Sequence, residues 1–258
     1  MKKLLALVAI ATLAMPAFAQ TPVAPPSGPA LNVTVEERSK IELVVRDMLD
    51  REPELIIQAA QKFQMKQQQS QLAKAGESIR QNAQKLFNDA GSATAGNAKG
   101  DVNVVEFFDY NCGYCKRAHT TTQQLIKDDK NLRYVYKQFP ILGPTSLTAA
   151  QAAAAAHLQG KFVPMHDALM ANKEPLSDAV IAKLGGSIKG LDVAKLKTDM
   201  NGDAVKKQIA ADMELGRQLG IQGTPGFVVG DQLFPGAMDL EQFKKAVAEA
   251  RAKAPAKN

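Results

Sequence analysis

Val105-Glu106-Phe107-Phe108-Asp109-Tyr110-Asn111-Cys112-Gly113-Tyr114-Cys115 decides how the rest of the chain folds. It begins inside Val102 to Phe108, a short, apolar, β-prone run that reads as a buried strand. Asn111 to Asp128 reads as a helix. Leu132 to Phe139, with Tyr134, Val135 and Tyr136, reads as a second strand. Strand, helix and strand in quick order predict a parallel β-α-β unit, and hence an α/β fold. The two cysteines therefore fall where a strand hands over to a helix.

The chain of 258 residues has two cysteines, three positions apart. Such a pair is half of a zinc site, a structural bridge or a redox pair. Zinc needs two further ligands, and His119, His157 and His166 show no zinc-finger spacing to the pair, so no metal is expected there. A bridge across so short a loop removes little unfolded-state entropy. The redox reading has a physical basis. Amides at a helix N-terminus are unsatisfied and carry partial positive charge. They favour the thiolate, which is the nucleophile. Cys112, at the helix end, is expected to be the exposed attacking sulfur, and Cys115, one turn in, the buried resolving one. The pair would cycle through a Cys112–Cys115 disulfide. Gly113 and Tyr114 would set the amides and dielectric around the thiolate. Lys116 and Arg117 could add positive field but read equally as solvated helix residues.

Two more features could serve this centre. Glu106 stands within the apolar strand. It is either an outward-facing strand residue, or a buried acid that moves protons to and from Cys115. Gly223-Thr224-Pro225-Gly226 precedes another predicted strand. It is either an ordinary turn, or a cis-proline loop beside the thiols that offers the Thr224 backbone to an extended substrate.

Working outward, Thr145 to about Gly220 is mostly helical. It contains the Ala-rich run Ala149 to Ala156 and helices over Phe162 to Met170, Ser177 to Leu184 and Ala204 to Leu219. Phe227 to Val229 and Gln232 to Phe234 are short strands about the hairpin pair Gly230-Asp231. Asp239 to Ala252 is a closing amphipathic helix. On the N-terminal side, residues 90–100 are small, polar and glycine-bearing, and read as a linker. Before it, Ile41, Val44, Val45, Met48 and Leu49 form one helical stripe. Glu52-Pro53 breaks that helix and opens another. Leu72, Ala75, Ile79, Ala83, Leu86 and Phe87 form a thin stripe on a third. Residues 31–89 hold too little apolar surface for a core of their own. They could pack on the following domain or form a free stalk, but self-association is the favoured expectation. Residues 20–30 are proline-rich and read as a disordered lead-in. Lys2 and Lys3, the apolar run Leu4 to Leu13 and Ala17-Phe18-Ala19 predict a cleaved signal peptide over 1–19, with an uncleaved anchor as the alternative. Its removal lowers the formal net charge from +6 to +4. The basic residues are dispersed and no Trp is present, so a nucleic-acid partner is not expected.

The quoted stretch, Phe139-Pro140 and Gly223-Thr224-Pro225 together resemble the DsbA-like branch of the thioredoxin superfamily, over roughly Gly100 to Ala252. The resemblance implies a thioredoxin fold interrupted by a helical domain (about 145–220 within 101–258), a cis Pro225, and Glu106 as the family's buried acid. Asp47-Met48-Leu49 and Glu52-Pro53-Glu54-Leu55-Ile56 resemble the N-terminal region of the suppressor-of-copper-sensitivity C (ScsC) proteins. Some of their relatives trimerise through it and act as disulfide isomerases. The Gly-Tyr dipeptide departs from the Pro-His of strongly oxidising DsbA enzymes, which leaves the redox potential open. The expectation is a periplasmic isomerase or reductase without a cofactor, acting on exported proteins with thiols or disulfides. A membrane redox partner would recycle it, and it would be a homotrimer or dimer through its N-terminal helices. The alternatives are a dithiol oxidase, or a copper-tolerance protein holding Cu(I) between the two thiolates.

Overall fold

The computed structural model describes residues 33–253. The signal peptide expected over 1–19, the lead-in over 20–30 and the last residues of the tail lie outside the described residues. The chain divides after Ala60 into two compact units.

In the first unit, helix α1 spans Val35–Arg51. A capping box starts it. The Thr34 side chain accepts from the Glu37 amide, and the Glu37 carboxylate accepts from the Thr34 amide at 2.8 Å. It ends where the Glu52 amide donates to the Met48 carbonyl, just before Pro53, which has no amide to donate. Ile41, Val44, Val45 and Met48 are exposed. Helix α2, Glu54–Gln81, starts in this unit and continues into the second.

The second unit is built on a five-stranded sheet. After α3 (Ala83–Phe87) come β1 (Thr94–Gly96), β2 (Val102–Phe108), α4 (Gly113–Asp128) and β3 (Leu132–Gln138). Helices α5 (Pro144–Leu158), α6 (Phe162–Ala171), α7 (Asp178–Gly186), α8 (Val193–Met200) and α9 (Asp203–Gln218) follow. Then come β4 (Gly226–Val229), β5 (Gln232–Pro235) and α10 (Leu240–Lys253). The strand order is β1-β3-β2-β4-β5. Strands β2 and β3 are parallel, with Val104 opposite Tyr134, as the β-α-β reading requires. Strands β4 and β5 add antiparallel, with Glu106 opposite Phe227. This is a thioredoxin-like α/β fold, with α5 to α9 interposed between β3 and β4.

Strand alternation divides the core in two. Val104 and Phe108 of β2, Tyr134 and Tyr136 of β3 and Phe227 of β4 face one side. They pack with α4, α10 and the interposed helices. Val105, Phe107, Val135 and Val228 face the other, with Ile79, Leu86, Leu215 and Ile221. Helix α5 buries Ala149, Ala150, Ala152, Ala153, Ala155 and Ala156, and small side chains on several faces let its neighbours approach closely. Gly216 of α9 lies under the Phe139 ring, where an added Cβ would stand 2.6 Å from a ring carbon.

The third helix expected over Leu72 to Phe87 is instead the end of an unbroken α2 followed by the short α3, and two further boundaries differ from the sequence reading. Residues 90–100 are not simply a linker, because Thr94–Gly96 pairs antiparallel with β3 from Arg133 to Val135. Small side chains hid that strand, and the exposed edge of β3 supplies its hydrogen bonds. Ile79 and Leu86, assigned to the self-associating region, are buried against the sheet. A thin helical stripe has the same period whichever surface it covers, so the sequence left its partner undetermined.

Candidate active site

The turn between β2 and α4 is held by short polar contacts. Asp109 is buried, and its carboxylate accepts from the Asn111 amide at 2.7 Å and the Leu142 amide at 2.9 Å. The Asn111 side chain donates to Thr145 Oγ1 at 2.8 Å and Ser146 Oγ at 2.9 Å, fastening the turn to the start of α5. The sequence reading passed over both residues. Their one local signal was an Asx-type residue directly after a strand.

Cys112 is the N-cap of α4, and its Sγ accepts from the Cys115 amide at 3.4 Å. The Cys112 thiol also donates to the Thr224 carbonyl at 3.2 Å, across 112 residues of sequence. Both cysteines are free thiols here. Both cysteines are buried, so Cys112 is not the exposed sulfur the sequence suggested, because the Thr224-Pro225 loop lies against it; it is still the less buried of the two, at 6% exposed against none for Cys115. Tyr114 is exposed, with the Arg117 guanidinium 4.3 Å from its ring centroid. A Cβ added at Gly113 would stand 3.5 Å from an Arg117 guanidinium nitrogen, an ordinary contact. Lys116 does not face the thiols freely, since its ammonium donates to the Asn172 carbonyl. The Thr224-Pro225 peptide is cis, and the loop lies against Cys112. The turn in the sequence thus lies at the thiols.

Glu106 resolves to the buried alternative. It is 1% exposed, on the same face as Val104 and Phe108. One carboxylate oxygen accepts from the Tyr134 hydroxyl at 2.7 Å, while the other has no partner among the described residues. Burial pushes its pKa up to about 7, against the lowering effects of the Tyr134 hydroxyl and of His119. Cys115 is pushed far above the usual thiol range by burial first and by the Glu106 charge second. An acid poised near neutrality thus stands beside a thiol that resists ionisation.

A thioredoxin-like sheet, a Cys-x-x-Cys at a helix N-terminus, a carbonyl of the Thr224-Pro225 loop on the first sulfur and a buried acid near the second define a dithiol oxidoreductase. Residues 103–248 match the model of the DSBA-like thioredoxin domain, and the chain belongs to that family. A thioredoxin-like oxidoreductase from Silicibacter pomeroyi is 44% identical, covering 66% of this chain and 98% of its own, with a TM-score of 0.64. A linker-deletion variant of Proteus mirabilis ScsC is 28% identical, covering 87% of this chain and all of its own, with a TM-score of 0.66. The layout is therefore of the ScsC type, with a helical segment ahead of a DsbA-like domain. Among curated relatives, a Na(+)/H(+) antiporter, NhaA 3, of Salinispora tropica is 32% identical over 155 residues. That match takes in 59% of this chain and 24% of the antiporter's length.

Proposed function

We propose that this protein is an exported, periplasmic disulfide isomerase or reductase, with Cys112 as the attacking and Cys115 as the resolving sulfur. The Cys112 thiolate attacks one sulfur of a substrate disulfide. A mixed disulfide forms, and the other substrate sulfur leaves as a thiolate. If a substrate thiolate then attacks the mixed disulfide, Cys112 is regenerated and no electrons are transferred overall, which is isomerisation. If Cys115 attacks instead, the Cys112–Cys115 disulfide forms and the substrate departs reduced. In that step Cys115 must lose a proton, and Glu106 is the buried group able to take it. The Thr224 carbonyl, which holds the Cys112 thiol, lies where an extended substrate backbone would pass.

The observation that carries the chemistry is the pairing of Cys112, the helix N-cap and the less buried sulfur, with a fully buried Cys115 beside Glu106. The direction rests on the N-terminal helices. Ile41, Val44, Val45 and Met48 expose an apolar stripe on α1, which supports self-association into a trimer or dimer. Several dithiols in one assembly would act on one misfolded substrate at high effective concentration.

Trapping thiols in cells tests the direction. A mostly reduced Cys112–Cys115 pair is expected, maintained by a membrane electron donor. A mostly oxidised pair would make the protein a dithiol oxidase. Light scattering of the full mature chain is expected to give a trimer or dimer, and deletion of residues 33–60 a monomer. A monomeric full chain would remove the basis for the isomerase direction.

A further inference from the structure

One turn beyond Cys115 on α4 stands a second cluster of chemistry-bearing side chains, one of which, His119, bears on Glu106 only through its charge. We propose that His119, His166 and Asp167 form a binding site for a divalent cation of the zinc type. His166 and Asp167 are consecutive on α6 and face His119 across the α4–α6 contact. One donor atom from each of the three lies within 4.8 Å of the others. His119 Nε2 and Asp167 Oδ1 are 3.2 Å apart. With metal–ligand bonds of about 2.0–2.1 Å, neighbouring donors of a tetrahedral zinc stand roughly 3.3 Å apart. One edge of the site is thus already at that span. The others close by side-chain shifts of about 1.5 Å or less.

His166 supplies the independent observation. It is fully buried among the rings of Phe108, Tyr110, Tyr136 and Phe162, whose centroids lie 4.7 to 5.6 Å away. Its Nδ1 is 3.1 Å from the Tyr110 hydroxyl, and its Nε2 has no hydrogen-bond partner among the described residues. An imidazole nitrogen buried without a partner is costly, and buried polar atoms are seldom left so. When Nδ1–H donates to the Tyr110 oxygen, Nε2 presents a lone pair. A hydrogen bond on the far nitrogen is the arrangement that orients a metal-bound histidine.

Asp167 is the most exposed member, its side chain 39% exposed, so an ion can meet it from solvent; the surface cavity of about 520 Å³ that it borders is lined by Lys127 and Lys130 and by neither histidine. Two imidazoles and one carboxylate suit Zn²⁺, with a fourth position left for water. Calcium and magnesium prefer all-oxygen sets, and Cu(I) prefers sulfur.

The test uses Zn²⁺ alone, titrated into the full chain carrying Cys112→Ser and Cys115→Ser, so that thiolates cannot take the metal. Competition with a chromogenic chelator is expected to show one Zn²⁺ per chain. Asp167→Asn and His119→Gln, at positions that are not fully buried, are each expected to weaken binding at least tenfold while circular dichroism stays unchanged. Co²⁺ in place of Zn²⁺ is expected to give visible ligand-field bands without sulfur charge-transfer absorption. Absence of stoichiometric binding, or binding that both substitutions leave unchanged, would overturn the site and mark any retained metal as adventitious.

Discussion

Replacing Glu106 by glutamine tests the proton chemistry directly, because the change keeps the shape and removes the charge. Burial holds the Glu106 pKa at about 7, against 4.5 for a solvated carboxyl. The folded state therefore binds this proton more tightly than the unfolded chain does. Its effect on stability is nil below the unfolded value, grows more destabilising as pH rises from there to the folded value, and is complete above it. The separation corresponds to about 3 kcal/mol at pH 8 and less than about 1 kcal/mol at pH 5. The glutamine carbonyl would still accept from Tyr134, but the amide nitrogen would occupy the place of the unpartnered oxygen, a constant cost of about 1–3 kcal/mol. The pH slope therefore isolates the carboxylate where the offset does not. Urea unfolding from pH 5 to 8 is expected to show the wild type losing about 2–3 kcal/mol relative to E106Q. In stopped flow, resolution of a Cys112 mixed disulfide by Cys115 is expected to slow about a hundredfold near pH 7, with loss of the inflection near that pH. Parallel stability curves together with superimposable pH–rate profiles would refute a titrating, proton-moving Glu106.

Cys112→Ser is expected to abolish insulin reduction and refolding of scrambled ribonuclease, while Cys115→Ser accumulates mixed disulfides visible on non-reducing gels; full activity of the first variant would remove Cys112 from the chemistry. Lys137→Met leaves the buried Asp212 and the half-buried Asp89 without their ammonium, which stands 3.1 and 2.9 Å away. It is expected to cost about 3–5 kcal/mol in urea unfolding, and a loss below about 1 kcal/mol would refute a structural pairing. Gly216→Ala drives a methyl group into the Phe139 ring and is expected to cost about 1–3 kcal/mol, lowering the thermal midpoint.

Much of the fold around the site is legible because local patterns carry it. The run from Val102 to Phe108 is apolar without interruption except at Asn103 and Glu106, and a strand buried on both faces needs that pattern. The strand-to-helix change at Cys112 follows from the same stretch. What local pattern does not carry is partnership. Thr224 meets Cys112 across 112 residues, and from the chain alone Gly223-Thr224-Pro225 is equally a turn. The resemblance to a known family supplied that contact. Strand β1 consists of Thr94, Ala95 and Gly96, and its conformation comes from the edge of β3. His119 and His166 stand 47 positions apart, and the α4–α6 packing brings them together.

The two faces of the sheet treat buried charge in opposite ways, and the contrast separates structure from function. On one face Lys137 is enclosed by Asp89, Asp212 and Ser92, with Gln208 binding both acids. Burial works against ionised Asp89, but the bonds from Lys137, Ser92 and Gln208 outweigh it and hold its pKa well below the usual range. Burial raises Asp212 against the pull of Lys137, and both acids bond to the one ammonium. Such a network joins α9, β3 and the segment before β1. On the other face Glu106 has one neutral hydroxyl partner and one unpartnered oxygen. An ammonium bonded there would favour the ionised acid, as Lys137 does for Asp89 and, against burial, for Asp212. The neutral Tyr134 leaves it able to take and return a proton near pH 7. Neither role was visible in composition or net charge. The partner that each acid meets in the folded chain makes one group structural and the other suited to chemistry.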